Sequence, residues 1–438
     1  MSAAPRVVLL TGATGFVGKV VLEALLRRRD ELGIERVLAL VRAGDPEHAD
    51  ARLRADVVSS PCFAALAPGW EKRVEALPGD ITRPALGLSD EACARIAAEV
   101  TQVIHCAASV EFDLPLREAF AVNTQGALHA LDVASACARL EAYVGVSTAY
   151  VTPHAAPRSR RVQRVREALA PLPRDPEALH RALYTRTWSV REERELLART
   201  GHPNTYTLTK CLAEHLVARR AEGVPVTLVR PSIVSACRER PLPGWIDSAA
   251  AFAGFVALIG TGRLRAVAGD PDARLDVVPC DAVAERIVAA AFAPPARGEL
   301  RIEHAVAGLA NALPIHLCRE RIVDHFTRSP AGGRARVDYV GRQGPVFQLA
   351  HALRHELPAR AASLWLALRR EPRRARAVQK LLLRQRAIQS DFAYFTHATF
   401  DFESRAALAP PLDPSAYLDL VCAGVGTHLL SRERRRAS

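Results

Sequence analysis

Short apolar runs alternate with amphipathic stretches through the first two thirds of the chain. Six runs of four to six residues have the length and apolar content of buried strands: Arg6–Thr11, Arg36–Val41, Val74–Leu77, Gln102–Cys106, Ala142–Ser147 and Pro225–Arg230. Stretches with helical periodicity separate most of them: Phe16–Arg29, Asp90–Glu99, Leu116–Ala138 and Thr205–Ala221. This alternation predicts an α/β fold with a doubly wound parallel sheet, covered by helices on both faces.

Two segments break the alternation. Residues 152–203 form a long polar, arginine-rich stretch between the fifth strand and the next helix, and insertions of that size are usually functional lids or disordered. From about residue 330 the pattern becomes mostly helical. We therefore expect a nucleotide-binding and catalytic domain over residues 1–330 and a smaller, mostly helical domain over 331–438.

Charge and cysteine content narrow the class of protein. The chain has a formal net charge of +12 and nine cysteines, with no C-x-x-C pair and no zinc-ligand spacing, so we expect a reduced, cytoplasmic protein without a metal. No signal peptide and no membrane-spanning stretch are predicted; the apolar run Ala249–Ile259 reads as a buried helix. The positive charge fits a solvated surface or a polyanionic ligand, and we expect no nucleic-acid partner because no such module accompanies it.

The segment Leu353–Gln389 carries ten basic residues against two acidic ones, interleaved with leucine, alanine and tryptophan. This pattern predicts a basic amphipathic helix or helix pair. A solvated helical face is the favoured interpretation, and a peripheral contact with a membrane surface is the alternative.

A glycine-rich turn follows the first predicted strand. Gly12, Gly15 and Gly18 have the G-x-x-G-x-x-G spacing, which lets the backbone approach a pyrophosphate at the start of a helix. Arg42 ends the second strand, where a carboxylate would bind a ribose 2′-hydroxyl and an arginine would pair with a 2′-phosphate. The sequence therefore favours NADP(H) over NAD(H).

Three further positions lie close to the predicted strand ends. Asp80 follows the third strand, where it can hydrogen-bond adenine. His105 lies on an apolar strand, so a packed core histidine is favoured over a general base. Asn123 is a poor helix former within a helical stretch, which suggests a hydrogen bond to active-site backbone.

The catalytic chemistry is predicted between the fifth strand and the following helix. Tyr206 and Lys210 are four residues apart on that helix, so they share a face, and the ammonium can lower the pKa of the phenol. Lys210 is also expected to bond the nicotinamide ribose. Ser147 and Thr148 end the fifth strand at the same edge, where a hydroxyl can donate to an oxyanion. The tripeptide Arg230-Pro231-Ser232, which ends the sixth strand, is expected to line the same crevice.

Several longer motifs carry a family resemblance. They are residues 11–19 (TGATGFVGK), 103–112 (VIHCAASVEF), 122–126, 146–151 (VSTAYV), 203–214 (PNTYTLTKCLAE), 229–234 (VRPSIV), 243–247 (PGWID) and 276–281 (DVVPCD). The chain resembles the extended short-chain dehydrogenase/reductases, and within them the fatty acyl-CoA reductases. The resemblance covers residues 6–300 strongly, whereas the tail with Phe400–Phe402 is only loosely similar. Thr152-Pro153 and Gly126-Ala127 depart from the pattern of that family.

The resemblance implies a Rossmann-type fold and NADPH-dependent reduction of a long-chain acyl thioester to the aldehyde or alcohol. Thr148 takes the catalytic Ser/Thr place, with Ser147 as the alternative, and Tyr206 and Lys210 take the Tyr/Lys places. The substrate would be an acyl-CoA or an acyl carrier protein. The residues expected at the cofactor are Thr11, Gly12, Thr14, Gly15, Phe16, Val17, Gly18, Arg42, Asp80, Ile81, Ala107, Ala108, Asn123, Tyr206, Lys210, Pro231 and Ile233.

Two alternative functions remain open from the sequence. One is an extended reductase acting on a nucleotide sugar or a sterol. The other is a regulatory protein that senses NADP(H) without catalysis, although such a protein has no need of the Thr148, Tyr206 and Lys210 set.

Overall fold

Seven parallel strands form the central sheet of the computed structural model, which describes residues 5–153, 162–328, 335–405, 408 and 410–431. The strands are β1 (Arg6–Thr11), β2 (Ile34–Arg42), β3 (Val74–Gly79), β4 (Gln102–His105), β5 (Ala142–Val146), β6 (Val226–Pro231) and β7 (Leu300–Ala305). Their order in the sheet is β3-β2-β1-β4-β5-β6-β7. From β1 the strands β2 and β3 are added toward one edge of the sheet, and β4 to β7 are added toward the other edge. Such a change of strand order between β1 and β4 opens a crevice at the carboxyl ends of the strands.

Helices of seven or more residues cover the sheet and extend beyond it. They are α1 (Phe16–Arg27), α2 (Pro46–Leu53), α3 (Asp90–Glu99), α4 (Gly126–Ser135), α5 (Pro176–Thr185), α6 (Val190–Thr200), α7 (Thr205–Arg220), α8 (Ala251–Gly260), α9 (Cys280–Phe292), α10 (Ile315–Arg328), α11 (Pro345–His351), α12 (Leu357–Leu368), α13 (Pro372–Thr396) and α14 (Pro414–Gly424). Within the described residues, no helix is long and apolar enough to cross a membrane.

The two faces of the sheet bury separate hydrophobic layers. Val8 and Leu10 of β1 pack with α1 and α9, whereas Leu9 points to the other face and packs with α4 and α7. This alternation follows from the two-residue period of a strand. Because both faces are covered, the predicted doubly wound parallel sheet is confirmed.

The structure has a strand at each of the six predicted positions, and it differs from the prediction at β7 and in the helical stretch after β4. The seventh strand, β7, was missed because its sequence LRIEHA alternates polar and apolar residues at a sheet edge. The helix predicted over Leu116–Ala138 consists of a short helix, Leu116–Phe120, a wide π turn at Ala121–Gln125, and α4. The π turn changes which side chains face the crevice, as described below.

The insertion after β5 forms packed structure. Leu179 and Leu183 of α5 and Leu196 of α6 are buried in one layer with Leu208 and Leu212 of α7. A short strand, Gln163–Val165, pairs in parallel with Phe400–Phe402 near the end of the chain. The described residues 162–203 are thus ordered, which contradicts the expectation of disorder there, while a lid function stays a prediction. Residues 154–161 lie outside the described part.

Residues on both sides of the predicted domain boundary share one hydrophobic core. Phe255 of α8, Phe326 of α10 and Phe392 of α13 belong to the same buried cluster as Tyr150 and Val165. The boundary itself, at 330/331, lies outside the described residues, and the division into two domains stays a prediction. The region after it is mostly helical, as expected.

Candidate active site

The glycine turn between β1 and α1 is tightly packed. Gly12 has φ +78°, and a Cβ atom there would lie 2.7 Å from the backbone nitrogen of Ala107. A Cβ on Gly18 would lie 2.0 Å from the carbonyl oxygen of Gly12. The turn therefore requires glycine at both positions, as expected where backbone must approach backbone and ligand closely.

The start of α1 suits an anion. Gly15 precedes the helix in an extended conformation and no side chain caps the first turn, so the amide groups of Phe16, Val17 and Gly18 have no intrahelical acceptor. Such amides bind phosphate groups at helix N-termini. The turn and the uncapped amides fit the pyrophosphate of a dinucleotide, with Thr14 partly exposed beside them.

Thr11 connects the glycine turn to the loop after β4 through its side chain. Its side chain is fully buried, and its hydroxyl oxygen lies 2.9 Å from Nδ1 of His105 and accepts the backbone N–H of Ala107 at 3.2 Å. The hydroxyl thus joins the glycine turn to the loop after β4. Ala107 and Ala108 in that loop are partly exposed, as a backbone approach to a cofactor requires.

A cleft of about 860 Å³ lies beyond the ends of β2 and β3. Exposed Arg42 lines it, together with Asp80 and Arg83. Oδ1 of Asp80 accepts the backbone N–H and the hydroxyl of Thr82, at 2.9 and 2.8 Å. The side chain of Ile81 packs closely against Gly126, where a Cβ atom would lie 3.0 Å from Cδ1 of Ile81. The cleft has the position expected for the adenosine end of a dinucleotide, beyond the carboxyl ends of β2 and β3.

Asn123 lies in the π turn before α4 and is buried. Its side-chain oxygen accepts the backbone N–H of Ser109 at 3.0 Å, and its amide nitrogen donates to the hydroxyl of Thr209 at 3.3 Å. Asn123 therefore ties the loop after β4 to the helix that carries Tyr206 and Lys210. The expected hydrogen bond to site backbone is present.

Thr148, Tyr206 and Lys210 come together at the carboxyl end of β5. Asn204 caps α7 by accepting the N–H of Thr207 at 2.9 Å, which fixes the first turn that carries Tyr206. The side chain of Thr148 acts on the phenol of half-buried Tyr206 and lowers its pKa. The buried Lys210 ammonium donates to the carbonyl oxygen of Val146 at 2.8 Å.

Burial sets the proton affinities of these groups. It raises the pKa of Tyr206 to about 12, against a smaller lowering by the Thr148 side chain. It lowers the pKa of Lys210 to about 8, opposed by the nearby Cys106 and Glu214. The expectation that the ammonium lowers the pKa of the phenol is wrong here, because desolvation dominates and Thr148, not Lys210, acts on the phenol. The phenol of Tyr206 consequently keeps its proton at neutral pH.

Ser147 and His105 lie beside this group with different environments. The Ser147 hydroxyl is buried and has no hydrogen-bond partner among the described residues, whereas that of Thr148 accepts the N–H of Tyr150 at 3.3 Å. Burial and the charge of Lys210 lower the pKa of His105 to about 3. His105 is thus a neutral core histidine, as the favoured interpretation held.

Arg230 does not line the crevice. Its guanidinium is fully buried and pairs with Glu214 of α7, with Nε–Oε1 2.8 Å and Nη2–Oε2 2.5 Å, and it donates to the carbonyl oxygen of Arg166. The expectation for Arg230 is wrong: the alternation along β6 turns this side chain toward α7. Pro231 and Ile233, which follow Arg230 in the chain, are also buried.

Sequence reasoning missed an aromatic wall beside Tyr206. The ring of Phe112 lies 5.6 Å from that of Tyr206 and 5.8 Å from that of Phe395 in α13, and Phe392 lies 5.3 Å from Phe395. Phe112 is in the loop after β4, so two distant parts of the chain build this wall. No periodic pattern connects residues so far apart.

A second missed contact links the glycine turn to the PGWID segment. Lys19 of α1 forms a nearly buried ion pair with Asp247, and the ring of Phe16 lies 5.4 Å from that of Trp245. Gly244, with φ +76°, lets the segment turn against α14. The motif therefore packs the start of α1 against the C-terminal helices.

Comparisons with known proteins agree with this architecture. A model of the family described as male sterility protein matches residues 10–287, more than half of the chain. Fatty acyl-CoA reductase 1 of Gallus gallus is 30% identical over 383 residues, covering 85% of this chain and 72% of that protein. Fatty acyl-CoA reductase wat of Drosophila melanogaster is 33% identical over 288 residues, covering 65% of this chain and 54% of that protein. The chain thus spans about half the length of the fly relative.

Solved structures show the same fold over nearly the whole chain. The terminal R domain from the myxalamid PKS-NRPS biosynthetic pathway superimposes with a TM-score of 0.64 at 22% identity, covering 99% of this chain and 92% of that one. The reductase domain of a nonribosomal peptide synthetase from Mycobacterium tuberculosis gives 0.60 at 21% identity, covering 96% and 93%. The family model, the sequence relatives and the Rossmann-type sheet agree, and the chain therefore belongs to the fatty acyl-CoA reductase family of extended short-chain reductases.

Proposed function

We propose that the chain reduces a long-chain fatty acyl thioester with NADPH, giving the aldehyde or, after a second reduction, the alcohol. The observation that carries the proposal is that Thr148, Tyr206 and Lys210 meet at the carboxyl end of β5, on the same sheet edge as the glycine turn. That edge is where a doubly wound sheet binds a dinucleotide.

The two hydroxyl groups are suited to hold and protonate a carbonyl oxygen. Because the pKa of Tyr206 is about 12, its phenol is protonated at neutral pH and can donate as negative charge develops on the oxygen. Thr148 is positioned to donate a second hydrogen bond. Collapse of the resulting hemithioacetal breaks the carbon–sulfur bond, releases the thiol and leaves the aldehyde.

The cofactor side of the crevice supports NADPH. The chemistry that the bound cofactor supplies is transfer of a hydride to the carbonyl carbon. Gly12, Gly18 and the uncapped start of α1 would hold the pyrophosphate, and Lys210 would hold the ribose next to the nicotinamide. Arg42, exposed at the end of β2, would pair with the 2′-phosphate.

The aromatic wall supports an apolar acyl group. Phe112, Phe392 and Phe395 place apolar surface beside the phenol, and burial of each methylene there would contribute about 0.8 kcal/mol. The thiol would be coenzyme A or a carrier protein, whose phosphates or acidic residues suit the net charge of +12. Within this proposal the enzyme acts in the cytoplasm.

The test compares substrates of different class on the purified chain. Palmitoyl-CoA should sustain oxidation of NADPH, while a nucleotide sugar should not. Tyr206→Phe should lower turnover by about 10²–10⁴-fold and leave NADPH affinity nearly unchanged, because only the proton donor is lost. NADPH binding without turnover on any acyl thioester would contradict the proposal and favour a cofactor-sensing role.

A further inference from the structure

An unusual stripe of apolar side chains faces outward on the C-terminal helices. Helix α11, a π turn at Ala352–Glu356 and α12 run on without a break in helical backbone from Pro345 to Leu368. Exposed large apolar residues recur along this run at spacings of three, four or seven: Val346, Leu349, Leu353, Leu357, Leu364 and Leu368. We call these six residues, with Trp365, the outer stripe.

The outer stripe is not the face by which the helices pack. The same run buries Phe347, His351 and His355 on its inner side, where Nε2 of His355 accepts the backbone N–H of Ala266 at 3.1 Å. By contrast, Leu368 is 76% exposed and Trp365 is 52% exposed. More than half of the large hydrophobic residues exposed in the described part of the chain lie between Val346 and Leu383. Such concentrated exposure marks an interaction surface.

Positive charge borders the outer stripe at the turn between α12 and α13. In this turn and in the first turns of α13, five cations have no acidic partner among the residues that the structure describes: Arg369, Arg370, Arg373, Arg376 and Lys380. The guanidinium of Arg369 lies over the Trp365 ring, 3.9 Å from its centroid. An indole beside arginines at the edge of an apolar face can sit at the headgroup level of a bilayer while the arginines reach lipid phosphates.

We propose that the outer stripe and the adjoining arginines form a docking surface for an anionic lipid bilayer, with the helical run lying in the plane of the interface. Leucines would enter the acyl boundary and the cations would contact anionic headgroups, which is how basic amphipathic helices bind membranes. A second copy of the chain is disfavoured as the occupant because two such cationic faces repel each other.

The docking surface is joined directly to the proposed active site. Helix α13 packs along α12 and begins among the unpaired arginines. It ends at Phe392 and Phe395, which form the aromatic wall beside Phe112. One rigid helix thus connects the bilayer surface with the acyl site. The docking itself does not depend on the proposed reaction.

The experiment is co-sedimentation of the full chain with vesicles at low and high salt. Vesicles of phosphatidylcholine with phosphatidylglycerol should bind the protein, and phosphatidylcholine alone should bind much less. Leu364→Ser with Leu368→Ser should weaken binding at least about tenfold, because two exposed leucines no longer enter the bilayer. Arg373→Glu with Arg376→Glu should abolish the preference for the anionic lipid.

Matched changes on the α5–α6 face serve as controls. Tyr184→Ser with Val190→Ser removes comparable exposed apolar surface, and Arg191→Glu with Arg194→Glu reverses two exposed charges; both should bind vesicles like the wild type. Far-ultraviolet circular dichroism and NADPH binding should be unchanged in all variants. Failure of the wild type to bind anionic vesicles would overturn the proposal. Conversion of a dimer to a monomer by the outer-stripe variants would also overturn it, because the stripe would then be a contact between two copies of the chain. Loss of binding to an acidic carrier protein in the arginine variants, with vesicle binding unchanged, would overturn it as well. Vesicle binding without thioester reduction would refute the proposed reaction alone.

Discussion

At the scale of single residues, burial moves two pKa values in opposite directions at Tyr206 and Lys210. The phenol keeps its proton, with a pKa of about 12, and the ammonium has a pKa of about 8. The sequence spacing placed both side chains on one helix face correctly. It could not supply the sign of the shift at Tyr206, because desolvation depends on the surrounding chain.

Lys210 should set the alkaline limb of activity. Its charge is present below about pH 8 and lost above, so kcat/KM should fall as the pH rises through about 8. Lys210→Arg should move this limb well upward, because a guanidinium stays charged, and Lys210→Met should lower activity throughout. Measured pH profiles of the three proteins test this, and an unmoved limb in the arginine variant would refute it.

The free energy of unfolding should rise with pH in the range where activity falls, because of the same shift in the pKa of Lys210. The lowered pKa means that the folded state binds fewer protons than the unfolded chain between about pH 8 and 10.5. The contribution of this group to the free energy of unfolding therefore rises with pH in that window. Chemical unfolding of wild type and Lys210→Met at pH 7 and pH 10 separates this effect from the loss of activity.

Arg42 should select the cofactor. Arg42→Ala should weaken NADPH binding by about tenfold or more and leave NADH binding nearly unchanged, because only NADPH carries the 2′-phosphate. Arg95→Ala is the matched control, since this arginine lines the same cleft but is paired with Glu75. Fluorescence titrations measure both affinities. Equal weakening of NADH and NADPH would show that Arg42 does not contact the 2′-phosphate.

At the scale of elements, local pattern was sufficient where a strand or helix buries a regular face. Asp90–Glu99 was predicted with the bounds that the structure shows, and Arg6–Thr11 likewise. The pattern failed at β7, whose edge position leaves half of its residues partly exposed, and at the π turn that turns Asn123 inward. Both depend on tertiary neighbours, which a window of sequence does not contain.

The strand–turn–helix unit at the glycine turn should not tolerate a methyl group. Gly18→Ala would place Cβ 2.0 Å from the carbonyl oxygen of Gly12, so α1 must shift away from the turn. We expect loss of NADPH binding and destabilisation by about 2 kcal/mol or more. Thermal unfolding and NADPH titration measure the two effects. Gly344→Ala is the control, because a Cβ there meets no atom within 4 Å.

At the scale of the whole molecule, the candidate acyl site joins residues from opposite ends of the chain. The order of the motifs predicted a crevice at the carboxyl ends of one sheet, since most of the motifs follow its strands. It could not predict that α13 returns to Phe112, or that Gln163–Val165 pairs with Phe400–Phe402. Neither contact has a signal in local periodicity. The aromatic residues beside Tyr206 were therefore found from the structure alone.

Phe112 should discriminate acyl chains by length. Phe112→Leu removes the ring that contacts Tyr206, Phe392 and Phe395, so kcat/KM for palmitoyl-CoA should fall by roughly tenfold and that for butyryl-CoA much less. Phe63→Leu is a suitable control, because Phe63 stacks on Trp70 away from the site. An equal loss for both substrates would argue against an acyl wall.

The central claim is that this chain moves a hydride from NADPH to the carbonyl carbon of an acyl thioester. Incubation with NADPH deuterated at C4 of the nicotinamide and palmitoyl-CoA, followed by mass spectrometry of the products, tests it most directly. We expect deuterium at C1 of the released aldehyde or alcohol, strongly reduced in Tyr206→Phe. Intact palmitoyl-CoA with bound, unoxidised NADPH would contradict it.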